Sequence, residues 1–564
     1  MSEKPWLEHY DSGVPHSLAP YPERTLLDCI CDTACERPDH PFLLFKGRTL
    51  SYGEVEQLSN RFAAALVNEG VQKGDRVALI LVNSPQTIIA QLGIWKAGGI
   101  AVPLNPLYSD EELEHALAHV GAKLAVVLTL CYSRLKQIQP RTAVRRVIAT
   151  SIKDYLPRHL ALLFTLTREK KEGHRITLAE GDIWFTKLLR TAPPERPPLT
   201  VRPDEAALLL FTGGTTGMPK AAICRHHDLL IAGMQGHSWT CSLLPDWDSV
   251  ALQLMPLFHS YGIWVLATSI VARWPVALVP NPRDLDDVLA TIRKTKPAVL
   301  PAVPTFYASL LEHARFKSEK QKVNLPKLCL SSAAPLLAET KKRFETATGS
   351  KLIEGYGLTE SCAGIAGGPA RGVYKPGSVG MPFPDVELRI VDADTGRDVL
   401  PAGAVGEITI RAPQTIHGYW GSAPDSESML RGGWLYTGDL GYLDEDGYVF
   451  VVDRKKDVIK ASGFQVWPRE VEEAIAAYPA VAQVGVAGVP DPRYGEAVKA
   501  WVVLNPGAQA SADEIRAHCR KHLAAYKVPR QVEFRTSLPT SLIGKTLRRS
   551  LRAEDASLSR STAA

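Results

Sequence analysis

The sequence has no stretch that a bilayer could hold. A spanning helix needs roughly 18 or more consecutive apolar residues, and the best attempt, "YGIWVLATSIVARWPVALV" (261–279), is interrupted by Arg273 and Pro275. The opening "MSEKPWLEHY" lacks the charged-then-apolar pattern of a secretory signal. The expectation is a cytoplasmic chain that does not span a membrane. A dominant charge is also missing: 65 basic against 60 acidic residues leave +5, too slight to suggest nucleic acid as a partner. Paired metal ligands are missing as well. Nine cysteines are scattered along the chain, and "CICDTAC" gathers Cys29, Cys31 and Cys35, but no Cys/His pair at zinc spacing completes a site. They read as reduced thiols, three of them along one helix, in a reducing compartment.

What is present is a folded-protein composition, 45% hydrophobic and 22% charged, over 564 residues. That length is too great for one core, so two or more domains are expected. Between about 50 and 150, apolar β-rich runs alternate with helical patterns: "RVALILV", "IAVPL" and "AKLAVVL" as strands, "SPQTIIAQLGIWKAG" and "DEELEHALAHVG" as helices. Such alternation argues for parallel βαβ units. It resumes from 204 to 356, with "VALVP" and "AVLPAVP" as further strands. From 377 to 452 short strands such as "GEITIRA" and "GYVFVVD", divided by Gly, Pro and Asp, suit a β-subdomain. Beyond 454 comes a compact α+β pattern, with a helix opening at Pro468 and another over "ADEIRAHCRKHL". The expected fold is therefore α/β: a large N-terminal domain (1–453) of βαβ subdomains plus a β-subdomain, and a small α+β C-terminal domain (454–564). The final "DASLSRSTAA" reads as a disordered tail.

The stretch 151–197 does not fit the alternation. "DYLPRHLALLFTLTREKKEGHR" runs from an apolar segment into a basic one. One reading is a surface insertion whose Leu and Phe pack onto the large domain. The other is a peripheral lipid contact, apolar side inserted and Arg168, Lys170, Lys171 and Arg175 near headgroups.

Residues 211–220, "FTGGTTGMPK", follow the buried-strand run "EAALLLF". A Gly-rich loop leaving a strand presents backbone N–H groups to an anion. Thr212, Thr215 and Thr216 add hydroxyl donors, Gly213, Gly214 and Gly217 add freedom of approach, and Lys220 adds charge. Phosphate is the natural guest. The loop is not a Walker loop, because Pro219 precedes the lysine and Ala221 follows it.

Five ordered stretches, "FTGGTTGMPK" (211–220), "EGYGLTE" (354–360), "LYTGDLG" (435–441), "VDRKKDVIKASGFQVWPREVE" (452–472) and "PTSLIGKTLRR" (539–549), resemble the core motifs of the acyl-adenylate-forming enzymes. That family includes acyl-CoA synthetases, peptide-synthetase adenylation domains and luciferases. The resemblance implies ATP, Mg2+ and CoA as cofactor and co-substrates. It also implies that the opening loop holds pyrophosphate. Tyr356 resembles the adenine-stacking aromatic, with Gly357 beside it and Ala333 in "LSSAAPL" at the nucleotide. Thr359 resembles the α-phosphate donor and Glu360 the magnesium ligand. Asp439 and Arg454 resemble the ribose contacts. Lys456 matches the hinge about which the small domain rotates, and that small domain is implied to be mobile. Lys545 resembles the lysine bridging substrate carboxylate and α-phosphate. Gly463 resembles the glycine lining the pantetheine tunnel, with Lys460 and Gln465 nearby. Gly214, Ser332 and Trp467 depart from common family forms, and none of them removes a catalytic group.

The N-terminal "PWLEHYDSGVPHSLAPYP" and the segment after 150 resemble bacterial long-chain fatty-acid–CoA ligases. "PLFHSYGIW" (256–264) resembles the gate of the acyl tunnel, with His259 as a gating residue rather than a base. The implied activity is ATP-dependent activation of a fatty acid and its transfer to CoA, by a monomer or homodimer that touches the inner membrane face at most peripherally. A medium-chain or aryl-acid CoA ligase stays open, as does an acyl-AMP ligase loading a carrier protein. Such loaders usually carry an insertion near the hinge, and none stands between Asp453 and Glu470. A non-catalytic adenylate-binding protein has no need of Lys545.

Overall fold

The computed structural model describes residues 4–212, 219–319, 324–461, 464–491, 495–540 and 546–562. Two large sheets carry the N-terminal part. A seven-stranded sheet has the order Ile183–Trp184, Arg146–Thr150, Leu124–Leu128, Arg76–Ile80, Ile100–Pro103, Ala206–Phe211, Ala221–Arg225. Its pairs are parallel except the last. The alternation read from 50 to 150 is the heart of this sheet. The helix Asp110–Val120 shows why these segments form as they do. Ser109 accepts a hydrogen bond from the N–H of Glu112 in a capping box, three acidic residues occupy the first turn, and Gly121 ends the helix at φ 61°.

The nine-stranded sheet runs Met381–Pro382, Ala363–Gly367, Lys351–Leu358, Leu328–Ser331, Val299–Ala302, Ala251–Gln253, Val276–Leu278, Pro41–Phe45, Arg48–Ser51. Its centre is parallel, and the last two strands at one edge and the last at the other are antiparallel. Two buried helices, His226–Thr240 and Ser260–Val271, cross against it. They approach closely because Gly233 and Gly236 carry no side chain. A Cβ at Gly233 would lie 2.8 Å from the Ala267 carbonyl, and one at Gly236 would lie 2.8 Å from the Trp264 ring. This crossing brings Trp239 and Trp264 to one cavity.

A five-stranded antiparallel sheet (Glu387–Val391, Gly406–Arg411, Leu430–Arg431, Trp434–Leu443, Val449–Arg454) forms the expected β-subdomain. A fourth sheet, from Ile459–Ala461 to Gln531–Phe534, packs its own core around Val471, Ile475, Val498 and Ile515.

Two expectations need correction. The polar C-terminus is a helix, Arg548–Thr562, rather than a disordered tail. It is anchored by Leu551, fully buried with Trp501 and Leu538, and by Asp555, 2.5 Å from the Lys499 ammonium. The stretch 151–197 is not wholly outside the alternation either, since Ile183–Trp184 adds an edge strand parallel to Arg146–Thr150.

Candidate active site

The site gathers where the strand Lys351–Leu358 ends and the chain folds back into Ala363–Gly367. The turn is tight because backbone lies on backbone: a Cβ at Gly357 would sit 1.7 Å from the Ala363 carbonyl oxygen. Cys362 and Ala363, neither a glycine, take φ of 51° and 92°. Such residues cost on the order of 1–3 kcal/mol each and persist where the surroundings over-determine them. Thr359 and Glu360 form the tip of this turn. The Thr359 hydroxyl lies 3.4 Å from that of Ser260, and the Glu360 carbonyl accepts from the N–H of Ile416 at 2.9 Å.

Glu360 is joined to Lys220 through a tyrosine that no motif pointed to. Tyr419 donates its hydroxyl to Glu360 Oε1 at 2.6 Å. The Lys220 ammonium stands 5.4 Å above the Tyr419 ring and 2.5 Å from Asp425 Oδ1. Burial, then the charge of Glu360 and the hydrogen bond to it, push the Tyr419 phenol pKa far up, so it remains a donor. Thr212 closes the base of the loop, its N–H bonded to the Lys220 carbonyl at 2.8 Å. Gly213, Gly214, Thr215, Thr216 and Gly217 lie outside the described residues, as do Gly463 and Lys545.

A second corner joins the β-subdomain to the same strand. Asp439 and Arg454 are cross-strand partners, and the Arg454 Nε lies 3.4 Å from Asp439 Oδ1. Tyr356 donates its hydroxyl to Asp439 Oδ2 at 2.6 Å. Burial, then the Asp439 charge, raises the Tyr356 pKa well above that of a free phenol.

Beside Tyr356 opens a cavity. Its wall combines Ser331, Ser332, Ala333, Glu354, Tyr356 and Gly357 with His259, Trp264, Trp239 and Phe383. Ala333 takes φ 69° at this wall. Burial pushes the His259 imidazole down to about 4, so it is neutral at pH 7, and its Nδ1 accepts the Tyr261 N–H at 3.2 Å, capping the helix that follows. His259 is thus a neutral residue of the cavity wall. Lys456 stands exposed in the turn between Val449–Arg454 and Ile459–Ala461. Lys460 and Gln465 face each other across a hairpin of the C-terminal sheet and do not line this cavity.

Glu354 also escaped the sequence reading. Its carboxyl is buried in the cavity wall, 3.4 Å from the Tyr374 hydroxyl, and desolvation raises its pKa to about 7. Between its ordinary value of 4.5 and about 7, the unfolded chain has released a proton that the folded chain retains. Stability should therefore fall as pH rises through that window, by up to about 3 kcal/mol. Glu354→Gln is expected to flatten this slope when urea midpoints are compared at pH 5 and 8. An unchanged slope would mean that Glu354 titrates as an ordinary carboxyl.

The AMP-binding enzyme family matches residues 31–420, and the AMP-binding enzyme C-terminal domain matches residues 470–545. A long-chain-fatty-acid–CoA ligase of Bacillus subtilis (strain 168) is 38% identical over 98% of this chain and 99% of its own. One from Yersinia pestis is 35% identical over the whole of both chains, and a feruloyl-CoA synthase of Amycolatopsis is 32% identical over 90% of this chain and 94% of its own. Among solved structures, ATP-bound MatB from Rhodopseudomonas palustris superposes with a TM-score of 0.82 at 29% identity, covering 94% of this chain and 99% of that one. An anthranilate CoA ligase in complex with anthranoyl-AMP gives 0.82 at 27% identity, covering 95% and 98%. The chain belongs to the AMP-binding enzyme family.

Proposed function

We infer that the protein is a long-chain fatty-acid–CoA ligase. It joins a fatty acid to the α-phosphate of ATP, releasing pyrophosphate, and then passes the acyl group to the thiol of CoA, releasing AMP. The observation that carries this reading is one cavity lined by Tyr356, whose hydroxyl reaches the Asp439–Arg454 pair, together with the rings of Trp264, Phe383 and Trp239. Relatives named for long-chain acids, similar along the whole chain, support the acyl class.

The roles proposed for individual residues follow their chemistry. Asp439 and Arg454 would take the ribose hydroxyls, exchanging the Tyr356 hydroxyl for substrate. Tyr356 and Gly357 would face the adenine, with Ala333 beside them. Lys220, with Thr212 and the loop residues 213–217, would hold the pyrophosphate end, trading Asp425 for phosphate. Thr359 would donate to the α-phosphate. Glu360 would hold Mg2+, and one protein carboxylate beside phosphates suits an ion that keeps much of its shell in water and substrate oxygens. That ion would neutralise charge on the phosphate oxygens. Lys545 would stabilise the charge that builds up as carboxylate meets phosphorus.

We place the domain division at 453/454, with Lys456 as the hinge. Rotation of the small domain would withdraw Lys545 and bring Gly463, with Lys460 and Gln465, towards the thiol's path. The separate C-terminal sheet beginning at Ile459 supports this division. The deciding test is AMP and acyl-CoA formation across carboxylates from acetate to oleate plus benzoate, each with and without CoA. CoA-dependent turnover peaking at long chains is expected. A peak at benzoate would replace the acyl class, and acyl-AMP that accumulates despite CoA would point to carrier loading.

No helix among the described residues is long and apolar enough to cross a membrane. Peripheral contact is the finer proposal. Helix Arg158–Thr167 buries none of its residues, and Leu162, Leu163 and Leu166 are 61%, 55% and 76% exposed. Their spacing places them on one face, and Arg168, Lys170, Lys171 and Arg175 follow. That is the chemistry of an anionic lipid surface. The double variant Leu163→Asp/Leu166→Asp should lower cosedimentation with phosphatidylglycerol vesicles at least about tenfold, since two buried leucines are worth several kcal/mol. Unchanged binding would remove this helix from the contact.

A further inference from the structure

A run of aromatic rings forms part of the cavity wall. Trp264 and Phe383 lie parallel, 6.3 Å apart at 6°, and Phe383 meets Trp239 at 4.9 Å and 51°. All three rings line the cavity. The run continues beyond the wall. Tyr10 packs edge-on against the outer side of Trp239, with centroids 5.1 Å apart at 86°, and donates its hydroxyl to the Pro382 carbonyl at 2.6 Å. Pro382 directly precedes Phe383 in the chain, so one tyrosine braces both ring-bearing segments. Trp239 is pinned from a third side, its Nε1 donating to the Gly368 carbonyl at 2.9 Å.

Tyr10 belongs to a segment that is bound down along its length. Asp11 accepts the N–H groups of Arg371 and Gly372 at 2.8 and 2.6 Å. Asp385 accepts the N–H of Leu18 and the hydroxyl of Tyr21 at 2.8 and 2.7 Å. Trp6 is 3% exposed and packs on Gly447, where any Cβ would lie 2.8 Å from its ring. This strap precedes residue 31, where the match to the AMP-binding enzyme family begins. It therefore adds a brace from outside the segment that the family model matches.

The rings pack directly on glycine. A Cβ at Gly367 would come within 2.9 Å of Phe383 and 3.1 Å of Trp239 Nε1, and one at Gly364 within 3.0 Å of Phe383 and 3.1 Å of Trp264 Nε1. The rings thus lie in contact with this strand, and a side chain at Gly364 or Gly367 would have to displace them. The Trp264 Nε1 is buried without a hydrogen-bond partner, as is the Thr268 hydroxyl. A ring with an unmade bond is held less firmly than Trp239, whose bond is made. Trp239, hydrogen-bonded at Nε1 and packed against Tyr10 and Phe383, is the ring that stays.

We propose that Trp239, braced by Tyr10 of the N-terminal strap, is the stop that sets the length of acyl chain the cavity accepts. The inference rests on the fatty-acid reading above and adds to it the residue that measures the substrate. Trp239 would touch the end of the acyl chain, and Tyr10 is a positioning residue that acts through it. Each methylene that finds room beyond the stop adds roughly fourfold in binding, and each that meets it loses at least as much.

The experiment is kcat/KM for AMP formation over even-chain acids from hexanoate to stearate, on the full chain with ATP, magnesium and CoA. Trp239→Ala should move the optimum towards longer acids, changing the stearate-to-decanoate ratio more than tenfold. Gly364→Ala should move it the other way. Tyr10→Ala should broaden the profile, and Tyr10→Phe, which keeps the ring on Trp239, should restore the parental optimum. A merely structural role would scale every acid by one factor and leave the ratios alone. Unchanged ratios in both Trp239→Ala and Gly364→Ala overturn the proposal. If Trp239→Ala does not fold, Trp239→Leu and the Tyr10 pair decide in its place. A parental protein that activates no fatty acid at all sinks the parent reading instead, so the two failures are told apart.

Discussion

Lys545→Ala is expected to abolish acyl-adenylate formation, by on the order of a thousandfold or more in kcat, while thioester formation from supplied acyl-AMP remains largely intact. The asymmetry follows from where charge develops. In the first half-reaction a carboxylate approaches an anionic phosphate, and a compact ammonium on a flexible stem lowers the repulsion at the bridging oxygens. In the second half-reaction the mixed anhydride is already made, and the lysine's charge has no comparable task. Pyrophosphate release, measured against CoA-dependent consumption of synthetic acyl-AMP, separates the two. Equal loss in both half-reactions, with the protein still folded, would mean that Lys545 serves the fold or the domain arrangement instead.

Arg548→Met should destabilise the C-terminal part of the chain by about 3–5 kcal/mol. Arg548 is the cation at the junction of the proposed domains. Its Nη1 bonds Asp453 Oδ1 at 2.7 Å, and its Nε and Nη2 hold both oxygens of Glu472 at 3.2 and 2.8 Å. Asp453 and Glu472 have side chains only 3% and 15% exposed. Removing the guanidinium leaves two poorly hydrated carboxylates side by side, which costs far more than a surface pair would return. Burial pushes the Glu472 pKa up, with the Arg548 charge opposing it; without the arginine that rise should grow. The test is hydrogen exchange in the strands Val481–Asp491 and Gly495–Leu504, which should quicken by two orders of magnitude or more. Exchange unchanged from the parental protein would show that water already solvates this cluster.

How far the sequence carried the fold can be judged element by element. Helix Asp110–Val120 was legible because its stop and start signals are local: a capping box at one end, a glycine at the other. The helix at the C-terminus was not. "LRAEDASLSR" is polar and short of apolar residues, and only the sheet beneath it gives Leu551 a buried place and Asp555 a lysine. The two large sheets illustrate the same limit. Alternating strands and helices announce parallel pairing, yet Pro41–Phe45 joins Val276–Leu278, more than 200 positions away, while Ala206–Phe211 joins Ile100–Pro103. Periodicity speaks of which face is buried and is silent on which partner buries it.

The candidate site divides along the same line. Tyr356, Thr359, Glu360, Asp439 and Arg454 stood in recognisable strings, because the phosphate and ribose contacts proposed for them would demand particular groups at short, fixed spacing. Tyr419 and Asp425, which tie Glu360 to Lys220, stand in no such string and look like ordinary loop residues until the turn at Glu360 is folded against them. Glu354 sits in a motif, yet its raised pKa depends on what surrounds it.

By itself, then, the sequence determined the α/β class, the order of the motifs and the chemistry they can serve, because those depend on residues close together along the chain. The tertiary structure alone decided the shape of the cavity. Trp239, Trp264, Phe383 and Tyr10 come from four distant segments, and they meet only because Gly233 and Gly236 let two helices cross closely and because Asp11 and Asp385 tie down the first residues of the chain. A pocket that selects by size is defined by distances between such segments, and no local pattern encodes those distances.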